Sequence, residues 1–194
     1  MPGVTALRAP RPDAVEVELD GARWRTLPLE VVVRTGLQVG EELDRPRLRL
    51  LRRELRRHQA ITAATAALRH RDHSARTLDE RLERRGVAPA EREAALETLE
   101  RAGLVDDARF AGGRARTLAE RGWGDTAIRA DLERQGLAGG AVAEAVEALE
   151  PEHERAREHG ARRGGGLRAA RWLASRGFDA EALESLVAED GSQR

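Results

Sequence analysis

The chain contains no cysteine, so disulfides, thiolate nucleophiles and cysteine-based zinc sites are all excluded. It also contains no lysine and no tyrosine, and only three Trp and two Phe, which leaves few large aromatic anchors for a core. Net charge is lacking too: 34 arginines balance 34 acidic residues. That balance argues against a protein held on DNA by overall attraction, since such proteins carry a basic excess. No apolar run approaches the ~18 residues that a membrane span requires, and residues 1–11 lack a signal-peptide core. The expected address is the cytoplasm.

What is present is small and helical. Hydrophobic residues make up 40% of the 194, mostly Ala, Leu and Val, a composition suited to closely packed helices. Residues 1–13 hold three prolines and little periodicity, and are read as a flexible tail. Over 14–45 the pattern predicts a β-hairpin and a short helix. Val15, Val17 and Leu19 alternate with Glu16 and Glu18, Asp20-Gly21 supplies the turn, and Trp24 and Leu27 lie on the return strand. Pro28 then opens a helix that Gly36 stops.

From about Pro46 the period is helical and a repeat emerges. LDERLERRGV from Leu78, IRADLERQGL from Ile128 and ARWLASRGF from Ala169 align on Gly86, Gly136 and Gly177. Leu82, Leu132 and Leu173 then fall four residues upstream, and Val87, Leu137 and Phe178 follow immediately. Leu96, Val146 and Val187 lie ten residues downstream. Each Gly is expected to end a helix in the left-handed conformation, with the next apolar residue folding back on it. The expectation is an all-α elongated array of three tandem three-helix repeats, spanning 46–103, 104–150 and 151–194, behind the hairpin extension.

Several motifs have a chemical and a structural reading. In GLVDDARFA, Gly103–Ala111, Asp106 is expected to cap a helix and Asp107 to sit at its positive end, with no third ligand nearby for a metal. His70 and His73 have helical spacing, but they stand at a helix end before Ser74, a capping residue. In HERAREH the two histidines are six apart, about 240° around a helix, and cannot share a metal. RRGGGLR, Arg162–Arg168, lacks the Lys-Ser/Thr ending of a nucleotide loop and is read as a joint. No nucleophile, base and orienting group converge, so neither an enzyme nor a cofactor is expected.

Charge is segregated despite the zero sum. From Arg45 to Arg57 there are seven Arg and one Glu, and Arg45, Arg49, Arg52 and Arg56 form one helical stripe with Arg53 beside it. Leu48, Leu51 and Leu55 form the adjacent apolar stripe. Two readings stay open: a solvated face, or a guanidinium rail for phosphates or carboxylates. Arg162, Arg163, Arg168, Arg171 and Arg176 form a second basic cluster with no acid between His159 and Phe178. Glu144–Glu158 carries six Glu against two Arg. Such patterning suits a partner that is itself patterned.

GLVDDARFA, together with RDHSARTLDERLERRGV (Arg71–Val87) and RGWGDTAIRADLERQGL (Arg121–Leu137), resembles the RecX family over most of the chain from residue 60 onward. Asp72 and Asp131 stand where that family usually has Glu. The resemblance implies a modulator that binds the RecA recombinase filament and inhibits its ATPase, strand exchange and co-protease activities; the chain is expected to be a monomer. It implies partner contacts at Arg71, Arg76, Arg84, Arg109 and Arg129, and architectural roles for Ser74, Gly103, Asp106 and Phe110. The alternative is a helical protein that binds single- or double-stranded DNA directly, without recombinase.

Overall fold

The computed structural model describes residues 1–184. It is mostly helical, with a small antiparallel sheet at the N-terminus, and divides into two compact units. The first contains residues 1–71 and 78–104, and the second 72–77 and 105 onward.

In the first unit β1 (Val4–Arg11), β2 (Ala14–Leu19) and β3 (Ala22–Pro28) pair in that order. The β2–β3 hairpin turns at Asp20-Gly21, both at positive φ (50° and 81°), as a two-residue turn requires. Residues 1–13 are not a tail: most of them form β1. Val4 is buried to 1% exposure, its amide donates to the Glu41 carbonyl, and the Leu43 amide donates to Pro2. The prolines misled because β1 is an edge strand. Pro10 falls where the pairing register slips between Arg8 and Arg11, so its missing N–H costs little there.

The helix α1 (Leu29–Thr35) follows Pro28 and ends at Gly36. Val4, Val15, Val17, Leu27, Val32, Leu37, Leu43 and Leu51 make the core between the sheet and the next helix, α2 (Arg45–Leu68). Trp24, expected on the return strand, lies there but faces outward with its ring against the Arg25 guanidinium. Asp44 caps α2 by accepting from the Arg47 amide at 2.7 Å. Further along, Ala60, Ala64 and Ala67 are buried; α2 packs against α4 (Pro89–Arg101), which buries Ala95 and Leu99. In the chain α3 (Ala75–Glu83) connects α2 to α4, its first three residues belonging to the second unit.

The second unit holds α5 (Asp107–Glu120), α6 (Asp125–Arg134), α7 (Gly139–Glu147), α8 (Glu152–Ala161), α9 (Gly166–Ala174) and a helical stretch at 180–184. Ala111, Ala115, Ile128, Leu132, Val142 and Val146 form one cluster, and Ala156, Ala170, Leu173, Phe178 and Leu183 another. The repeat's leucines Leu82, Leu132 and Leu173 are buried at 1%, 0% and 0% exposure, so the alignment tracks equivalent core positions. Leu96 is only half-buried, its neighbours Ala95 and Leu99 filling the core instead. Val187 lies outside the described residues.

Candidate partner-binding surface

The stripe on α2 is a consequence of its register. With Leu48, Leu51 and Leu55 turned to the core, Arg49, Arg52 and Arg53 are exposed. The charges are not equally available. Arg56 Nε donates to Glu91 Oε1 at 2.6 Å, and that hydrogen bond holds the Glu91 carboxyl below the usual carboxylate range. Arg57 donates to Thr98 Oγ1 at 2.9 Å. Arg53 lies 3.4 Å from Glu54, while Arg49 reaches back to the Arg45 carbonyl at 3.4 Å. Arg71, just past α2, and Arg84, just past α3, are also exposed on this unit.

In the second unit Arg109, Arg129, Arg168 and Arg171 are exposed, on α5, α6 and α9. Arg109 is held 3.8 Å from Asp106, whose Oδ1 accepts the Arg109 amide at 2.9 Å as the cap of α5. Arg76 is different: its side-chain carbons lie over Gly136, where a Cβ would collide with them. Asp131 binds Arg114 through both oxygens, one at 3.0 Å, and Arg134 at 3.3 Å. The Arg114 hydrogen bond chiefly lowers the Asp131 pKa.

Helix ends in this unit meet in two junctions of one design. At the first, Ser74 Oγ accepts the Thr77 amide at 3.2 Å and donates to the Gln135 carbonyl at 2.6 Å, so the start of α3 rests on the end of α6. Asp107 Oδ1, from the first residue of α5, accepts the Ala75 amide at 2.8 Å. At the second, the Gly124 amide donates to Arg176 at 3.0 Å and the Thr126 amide to Gly177 at 3.3 Å, so the start of α6 rests on the end of α9. Glu152, from the first residue of α8, accepts the Asp125 amide at 2.5 Å. In both, a helix N-terminus meets a helix C-terminus and the dipoles align favourably.

Glu152 also accepts the Asp179 amide, at 3.4 Å. Burial raises its pKa, and the nearby Asp125 and Asp179 charges push the same way. Arg155, 4% exposed, donates to the Glu150 carbonyl at 2.8 Å, to the Trp123 carbonyl at 3.2 Å and to Asp125. Arg176 lies between two indoles, 4.8 Å from Trp123 and 4.7 Å from Trp172, and Arg163 covers Trp172 at 3.4 Å. Arg163 and Arg176, expected only as basic surface, are therefore stacked on rings. The Trp172–Arg176 spacing of four was a legible sign of this; the buried Arg155 had none.

A family model described as RecX, second three-helix domain, matches residues 106–146. The regulatory protein RecX of Xanthomonas oryzae pv. oryzae is 33% identical over 148 residues, 71% of this chain and 92% of the relative. The chain belongs to the RecX family. RecX of Stenotrophomonas maltophilia is 34% identical over 149 residues, covering 72% and 91%. A crystal structure of regulatory protein RecX superposes with a TM-score of 0.83 at 19% identity, covering 96% of this chain and 98% of that one. RecX from Lactobacillus salivarius gives 0.60 at 16% identity, over 69% and 96%. The fold is thus the family's, and the family is one of regulatory proteins.

Proposed function

We propose that this protein binds the RecA recombinase filament and inhibits its ATPase, strand-exchange and co-protease activities, thereby modulating recombinational repair and the SOS response. The observation that carries the reading is its 33% identity to a RecX regulatory protein over nearly that protein's full length. Exposed arginines on both units support it: Arg49, Arg52, Arg53, Arg71 and Arg84 on the first, and Arg109, Arg129, Arg168 and Arg171 on the second. These offer guanidinium groups to carboxylates of a protein and to phosphates of the DNA it coats. Arg56 contributes less, being committed to Glu91. Arg76 serves the junction at Gly136 as well as any partner.

The test is RecA ATP hydrolysis on single-stranded DNA at increasing concentrations of this protein, with co-sedimentation alongside. Inhibition at substoichiometric amounts is expected. Unchanged hydrolysis without co-sedimentation would reject the reading. The exposed Arg49, Arg52 and Arg53 favour one alternative, direct DNA binding along α2. That alternative predicts recombinase-independent affinity falling steeply with salt.

A further inference from the structure

The two junctions described above have a third, open counterpart. Aligning the repeats places Arg85 where Gln135 and Arg176 stand, and Gly86 where Gly136 and Gly177 stand. All three glycines are left-handed, with φ of 76°, 80° and 83°. Gly136 is covered by the Arg76 side chain and Gly177 by Ala127, each too closely for an added Cβ. Nothing lies within 4 Å of a Cβ built on Gly86. The carbonyls of Gln135, Arg176 and Gly177 each accept a hydrogen bond from the incoming helix start. Among the described residues no hydrogen bond ends on the carbonyl of Arg85 or Gly86.

We infer that the Arg84–Gly86 turn is a docking site for the N-terminus of a helix in the protein partner. The same backbone shape receives a helix start twice within this chain, through carbonyl acceptors and an end-on dipole match. The charges specify the incoming helix further. At the two filled junctions the chain itself supplies a carboxylate, Asp107 or Glu152, to the first amide of the docked helix. Asp107 and Glu152 lie 29 and 25 residues before their repeat's glycine; the matching stretch of α2, residues 57–61, is mid-helix and holds no acid, while Arg84 and Arg85 are exposed beside Gly86. The occupant is therefore a helix with acidic residues in its first turn. A DNA phosphate fits worse, because the outward carbonyls would repel it.

This inference rests on the recombinase-filament reading, and its test separates the two. Arg84→Glu/Arg85→Glu is compared with Arg101→Glu, an exposed position on α4, in co-sedimentation with RecA filaments on single-stranded DNA. The paired reversal is expected to weaken binding at least about tenfold beyond the control. In a second arm a photo-crosslinking amino acid replaces Arg85, with its adduct expected on the acidic first turn of a recombinase helix. Binding equal to the control, or an adduct on DNA, on a strand or in mid-helix, overturns the docking site and leaves the filament reading standing. If the unmodified protein fails to sediment with filaments, the filament reading falls and this inference falls with it.

Discussion

The surroundings of Asp131 and Glu152 act on their ionisation in opposite directions. Asp131 has its pKa lowered by Arg114, so its contribution to stability is present above the ordinary carboxylate range and is lost as pH falls through its folded pKa. Asp131→Asn should cost about 1–2 kcal/mol at pH 7, a figure reduced for partial exposure of the guanidinium. That cost should shrink towards zero in melts taken progressively below pH 4. Glu152 has its pKa raised by burial, so the fold holds its proton more tightly than the unfolded chain does. Stability from that group is full at low pH and declines as pH rises through the raised folded pKa. Glu152→Gln keeps an acceptor for the Asp125 amide and removes the charge, and should melt no lower than the parent at pH 7. Glu152→Ala loses the cap and should cost about 0.5–2 kcal/mol. A glutamine variant as unstable as the alanine variant would show that the charge itself is needed.

At the scale of elements, helix starts and stops were legible because they are written locally. Asp106, Pro28 and the three repeat glycines act within a turn of where they stand. Pairing between elements was not legible, because Asp107 with Ala75 and Glu152 with Asp125 join positions 32 and 27 residues apart. Gly124 is the clearest example. Its φ of −82° suits any residue, so nothing in its conformation demands glycine. The demand comes from Gly177 and Phe178, whose backbone occupies the space of a Cβ. Gly124→Ala should therefore destabilise the second unit by about 1–3 kcal/mol through overpacking. Gly139→Ala, in open space at the start of α7, should be neutral or slightly stabilising. Thermal unfolding of the two variants would check the contrast, and equal effects would reject it.

Over the whole molecule, exposed arginines are distributed on both compact units, and net charge is zero because acids elsewhere balance them. Composition therefore hid a feature that register exposes: the leucine stripe of α2 turns Arg49 and Arg52 outward, and among the described residues neither has an ion-pair partner, whereas Arg155, in a segment rich in Glu, is buried. If both units engage one filament, the second contact is intramolecular once the first has formed, and overall affinity exceeds that of either alone. Arg49→Glu/Arg52→Glu and Arg168→Glu/Arg171→Glu should then each raise the concentration needed for half-maximal inhibition of the RecA ATPase by roughly tenfold or more. Combining all four should abolish inhibition at concentrations where the parent saturates. A pair that leaves the inhibition curve unmoved would assign its unit to solvent, and the grip would belong to the other unit alone.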